Sequence, residues 1–276
     1  VLALAKERFK PDPEHIYLTG HSMGGHGTWY LGAAYPGKWA AIGACSGYPN
    51  LKDYAGSHGG GIGEHAASPI EKILNSASNQ SNVIRLATNY KTLGVYIMHG
   101  DSDQVVPVKY ARQMRELLGG FQPDMSYYEY PGGAHWFGNQ SVDWKPLFDY
   151  FKWHRRKPDS LVNHIDFITA CPGISASCYW ADIQQQIHSL DYSRIQLIRD
   201  TSLRTIAGTT ENIRVLGLSL AGFGVNEKLK IVLDGLAPVE YTTKGRDDSL
   251  GRLREAGAWT VTARPGSDQK GPQRSG

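Results

Sequence analysis

No apolar run in this sequence is long enough to span a bilayer, so a membrane-spanning helix is not expected. Charge of one sign is also scarce. The net charge is only +3 over 276 residues, and the basic residues form no long block. That argues against nucleic acid and anionic membrane as partners. Metal-ligand patterns are missing. There is no HExxH, and His26, His58 and His65 lack ligand spacing. Asp101 and Asp103 are not followed by further carboxylates at the spacing of a cation loop. Cysteine is sparse, with three residues, an odd count. Cys171 and Cys178 either bridge a short loop, which would suit a secreted or periplasmic protein, or stay reduced. Cys45 lies in an apolar run and reads as core.

What is present changes character along the chain. Up to about residue 157, short apolar runs (16–19, 41–46, 95–99 and 125–130) alternate with helix-like stretches (28–35, 108–118 and 144–154). Alternating strands and helices imply a parallel sheet covered on both faces. From 158 to 276 the pattern becomes strand after strand: 165–169, 179–187, 194–198, 213–220, 228–234 and 259–262. "TTENI" and "DGLAP" read as turns between them. This half is expected to be a smaller all-β, sandwich-like domain. The boundary is placed in "RRKPDS". No repeat or low-complexity tract appears, and the final "GSDQKGPQRSG" reads as disordered or cut off.

"IYLTGHSMGGHGTWYLGAAYPGKW" raises the chemical question, because Ser22 occupies the centre of Gly20-x-Ser22-x-Gly24. A nucleophile at a sharp strand-to-helix turn has strained backbone angles, so its neighbours must be small. Gly20 and Gly24 are expected to provide that room, and Gly25 to allow close helix packing. The following helix would aim its N-terminal N–H groups at a reacting carbonyl, with Met23 N–H as one oxyanion donor.

A serine hydroxyl needs a base, and the base needs an orienting acid. In this type of fold the chain order is Ser, acid, His. "VYIMHGDSDQVVPVKYARQMRELL" offers Asp101 and Asp103 in a turn after a strand. "MSYYEYPGGAHWF" offers His135 in a glycine loop after the next strand. Spacing does not separate Asp101 from Asp103.

The segment from Ile16 to Arg156 resembles the second half of an alpha/beta-hydrolase. It is most similar to the prolyl oligopeptidase family of serine peptidases and to polyhydroxybutyrate-depolymerase-like esterases. "GHSMGG", "HGDSDQVVP" and "GGAHWF" carry the resemblance. It implies that the acid is the second Asp of the "HGxxDxxVP" pattern, Asp103, and that the base is His135. It also implies acyl transfer without a cofactor. The primary reading is a serine hydrolase cleaving peptide bonds. The first alternative is a carboxylic-ester hydrolase acting on polyesters or on acyl groups of polysaccharide. The second is an inactive hydrolase-fold scaffold. The β-rich domain offers a carbohydrate or protein contact through Tyr179, Trp180, Tyr192, Tyr241 and Trp259, although core roles are expected for most of these.

Other residues near the motifs have plainer readings. "SHGGG" (57–61) follows the nucleophile, unlike the oxyanion loop it mimics, and reads as an insertion. His21 packs or hydrogen-bonds locally, with substrate contact as the sharper alternative. His99 is structural. Trp136 either lines a substrate pocket or fills the core. The resemblance further implies several strands before the nucleophile strand, whereas only "VLALAKERFKPDPEH" precedes it. The chain is therefore expected to be a piece of a longer product, to lack the second oxyanion donor, and to be poorly soluble and nearly inactive alone.

Overall fold

The computed structural model describes residues 2–57, 68–245, 249–255 and 257–262. His58, His65, most of the 57–61 glycine run and the last residues lie outside this set. Among the described residues no helix is long and apolar enough to cross a membrane.

The described residues divide into two compact units. The first takes in Val1–His65 and Ser81–Lys157, the second Ala66–Gln80 and Pro158–Gly276.

The first unit opens with a short helix α1 (Leu2–Phe9). It then alternates strands β1 (Tyr17–His21), β2 (Ala41–Cys45), β3 (Gly94–Gly100) and β4 (Met125–Tyr130) with helices. The helices in chain order are α2 (Met23–Ala34), α3 (Leu51–Ser57), α4 (Pro69–Ser78), α5 (Lys109–Gly119) and α6 (Lys145–Lys152), of which α4 belongs to the second unit. All pairings are parallel and the sheet order is β1-β2-β3-β4. β2 and β3 are buried at every position, as a strand covered on both faces must be, whereas the flanking β1 and β4 are half-buried. Because every strand points the same way, their C-terminal ends share one edge, where an open parallel sheet holds its ligands.

Helix α2 starts at Met23, five residues before the periodic pattern suggests. Its first turn is glycine-rich and has poor intrinsic propensity. Packing holds it instead. A Cβ on Gly25 would meet Cys45 O at 2.4 Å, and one on Gly32 would meet Ile42 Cδ1 at 2.9 Å. Trp29 is fully buried, and its carbonyl accepts from the Tyr90 hydroxyl.

In the second unit, β5 (His164–Thr169), β8 (Ser193–Asp200), β9 (Thr205–Glu211), β11 (Lys228–Leu233) and β12 (Val239–Thr242) form one five-stranded sheet, in the order β12-β11-β9-β8-β5. The other, ordered β14-β13-β10-β7-β6, comprises β6 (Ser177–Cys178), β7 (Ala181–Gln186), β10 (Ile213–Ser219), β13 (Ser249–Glu255) and β14 (Ala258–Thr262). Both sheets feed one core, with Phe167, Leu197 and Ile231 from the first and Ile183, Leu216 and Trp259 from the second. This is the sandwich that the succession of strands in the sequence anticipates.

Two readings are corrected here. "TTENI" is not a turn: Thr209–Glu211 finish β9, and only Asn212, at φ 53°, makes the bend. The stretch 179–187 is a strand only from Ala181 to Gln186 (β7); Tyr179, at φ 51°, and Trp180 form the turn that pairs Ser177↔Asp182 and Cys178↔Ala181 with β6. Of the two states the sequence leaves open for Cys171 and Cys178, the structure has the free thiols, with no bridge between them. Burial pushes the Cys178 thiol up to about 12, which keeps it protonated and unreactive.

Most of the aromatics offered for contact serve the interior of this unit, whereas the Tyr192 hydroxyl donates to Asn79 O. Trp180 and Trp259 are buried, and Tyr179 and Tyr241 pack on the same core. Residues of the 66–80 segment join the unit although they are inserted between β2 and β3. Ser68 and Glu71 form a reciprocal capping box on α4. Gln80 Oε1 then accepts from Thr169 Oγ1 (2.9 Å), Ala170 N (2.7 Å) and Cys171 N (2.9 Å). The span 1–157, read as one hydrolase domain, thus contains a segment that packs with the β sandwich.

Candidate active site

Ser22 sits between β1 and α2 at φ 59° and ψ −117°, a backbone region that a non-glycine residue occupies only when its surroundings hold it there. Two main-chain bonds do so. Ser22 N donates to Cys45 O at 3.0 Å, and His26 N donates to Ser22 O at 3.0 Å. A Cβ on Gly20 would lie 2.4 Å from Gly24 O, so the turn closes only with glycine at 20. Gly24 itself has open space around its Cβ direction, which corrects the symmetrical role expected for the two glycines. Gly20→Ala should therefore destabilise the protein by about 1–3 kcal/mol through overpacking. Gly24→Ala should raise stability by up to ~1 kcal/mol through helix propensity. Thermal melts of the two variants check this.

Asp103 and His135 reach Ser22 from the loops after β3 and β4. His135 Nδ1 lies 2.8 Å from Asp103 Oδ2, and His135 Nε2 lies 2.8 Å from Ser22 Oγ. An ionised carboxylate only accepts, so Nδ1–H donates to Asp103 and leaves Nε2 to accept the Ser22 hydroxyl proton. Asp103 Oδ1 accepts from Val105 N and Val106 N, both at 2.8 Å. Burial pushes its pKa up, but bonds from His99, His135, Val106 and Val105 outweigh that and hold the carboxyl well below the usual range. His99 is more than a strand-end residue, because its Nε2 is 2.7 Å from Val106 O and 3.4 Å from Asp103 Oδ2. Its structural role thus includes a contact with the acid that the sequence does not disclose. No local signal marks it beyond its place two residues before Asp101.

Asp101 is exposed and turned away from this chain of bonds. Its Oδ1 accepts from Ser102 Oγ and from Gly132 N, each at 2.8 Å, which braces the His135 loop. Ser102 N adds a bond to Gly133 O at 2.9 Å. A Cβ on Gly100 would meet Gly133 O at 2.3 Å, so the two loops touch through backbone alone.

Met23 opens α2, where the first N–H groups have no partner within the helix. Trp136 is 63% exposed, and its ring lies 4.0 Å from His21 and 5.8 Å from His135. It is a surface ring beside the base, not core. His21 Nε2 lies 2.8 Å from the main-chain oxygen of His135. Among the described residues no group of His, Cys, Asp and Glu could hold a metal ion.

Residues 1–149 match the family described as "Putative esterase". The chain belongs to this alpha/beta-hydrolase family. It is also 30% identical over 144 residues, 52% of its length, to an uncharacterized secreted protein of Arthroderma benhamiae, of which it covers 15%. Similar folds include an acylaminoacyl peptidase of Pyrococcus horikoshii, with 16% identity and TM-score 0.45, covering 56% of this chain and 26% of that one. An esterase of Pyrococcus furiosus has 20% identity and TM-score 0.38, covering 54% of this chain and 57% of that one. The chain thus spans less than two thirds of each of these relatives.

Proposed function

We propose that the protein hydrolyses carboxylic esters through an acyl-enzyme on Ser22, with His135 as base and Asp103 as its orienting acid. The observation that carries this reading is the unbroken chain Ser22 Oγ, His135 Nε2, His135 Nδ1, Asp103 Oδ2, with 2.8 Å at each polar contact. His135 takes the Ser22 proton as Oγ attacks the carbonyl carbon. Met23 N–H, at the positive end of α2, stabilises the oxyanion. His135 then gives the proton to the departing alcohol and activates water to release the acid. The chain's own groups suffice for these steps apart from a second oxyanion donor, which is not assigned.

The family match supports the ester ahead of the peptide bond, reversing the order suggested by sequence resemblance. Trp136, exposed beside the base, is proposed as one wall of the substrate cleft. No carbohydrate contact is proposed for the second unit, whose aromatics are largely committed to its core. Secretion is the proposed location, supported by the description of the fungal relative.

The test compares p-nitrophenyl esters with proline-containing peptide anilides. Turnover of the esters and none of the anilides is expected, and the reverse selectivity would restore the peptidase reading. Trp136→Ala should raise KM for an aromatic ester about fivefold with kcat little changed, the scale of one aromatic contact.

A further inference from the structure

His21 and Trp136 are the chain neighbours of the nucleophile and of the base, and they lie against each other. The His21 ring is 4.0 Å from the Trp136 ring and 4.9 Å from the His135 ring. His21 Nε2 is 2.8 Å from His135 O, a contact between residues 114 apart in the chain. A carbonyl can only accept, so Nε2 carries the hydrogen and donates it. The other ring nitrogen, Nδ1, is buried with no hydrogen-bond partner, so it offers no second task that would explain the ring's placement. Burial lowers the His21 pKa, in keeping with a neutral ring.

The two ends of this contact differ in rigidity. His21 is the last residue of β1 and is paired with Cys45 of β2. His135 lies in a glycine loop with Gly132 at φ 67°. Bonds from Asp101 and Ser102 fix that loop at Gly132 and Gly133. His21 fixes it at His135 itself.

We propose that His21 is a positioning residue: its Nε2–H anchors the main chain of the base to the strand that carries the nucleophile, and its ring seats Trp136. The proposal rests on the Ser22–His135–Asp103 reading. Substrate contact by His21, the sharper alternative in the sequence, is replaced by contact with the base loop.

The test uses His21→Phe, His21→Gln and His21→Ala in the intact protein, with Ser22→Ala alongside. Phe keeps the ring and loses the donor. Gln places an amide Nε2 the same number of bonds from the main chain and keeps the donor. The readouts are the rate of fluorophosphonate labelling, its end point, and kcat and KM on p-nitrophenyl acetate. His21→Phe should label to the same end point but at least about tenfold more slowly, with kcat reduced alike and KM unchanged. That is the scale of one lost hydrogen bond felt in the transition state. Gln should recover most of the loss. A merely structural role would lower the end point and the melting temperature but not the rate per labelled site. Wild-type rates in Phe, or Gln as slow as Phe, would overturn the proposal. If Phe does not fold, Gln must exceed Ala about tenfold, and equality of the two overturns it. Labelling of Ser22→Ala would instead sink the triad reading, whatever the His21 variants do.

Discussion

Asp103→Asn should lower kcat by about four orders of magnitude while the protein stays folded. The amide can still accept from Val105 N and Val106 N through its oxygen. Its NH₂ then faces His135 Nδ1, which must become the acceptor. The ring proton moves to Nε2, and the base can no longer take the proton of Ser22. Asp101→Asn is the control. Its Oδ1 has only to accept from Ser102 Oγ and Gly132 N, and an Asn oxygen does both. Its expected cost is less than about tenfold, from a slightly loosened loop. Steady-state kinetics on a p-nitrophenyl ester check both. If the two costs are exchanged, Asp101 is the acid.

Replacing Ser22 should separate activity from stability. Ser22→Ala and Ser22→Gly both remove the nucleophile, and each should lower kcat by about 10⁶-fold, the scale of losing a nucleophile from such a triad. Their stabilities should differ in a set direction. At φ 59° and ψ −117° a side chain is strained, and glycine is not. Strain of this kind amounts to about 1–3 kcal/mol. Ser22→Gly should therefore melt above Ser22→Ala, and above wild type if the lost hydroxyl contact is worth less than the strain. Circular-dichroism melts of the three proteins test this. A Gly variant less stable than Ala would mean that the turn is not strained.

The residues of the proposed site were legible because each sits in a short stretch after a strand, where motif and local pattern coincide. The choice between Asp101 and Asp103 was not legible from spacing. It depends on which carboxylate the N–H groups of Val105 and Val106 point toward, a property of the turn. Helix α2 was half hidden because its glycines carry little propensity and its stability comes from contact with β2 and its following loop. β9 is not legible because "TTE" and Gly208 look like loop, while its partners, antiparallel β8 and parallel β11, are fixed by tertiary pairing. The insert carrying α4 left a readable cap, Ser68 with Glu71, but its union with the β sandwich through Gln80 spans about ninety residues of chain. In the sequence His21 stands out only as the neighbour of Ser22. Its partner, the carbonyl of His135, is a product of the fold.

The central claim is that Ser22 is the nucleophile, and covalent capture tests it most directly. The intact protein is treated with a fluorophosphonate, digested, and the adduct located by mass spectrometry. A single adduct on the peptide holding Gly20–Gly24, placed on Ser22 by fragmentation and absent from Ser22→Ala, is the expected result. Adduct formation at another serine, or undiminished labelling of Ser22→Ala, would contradict it.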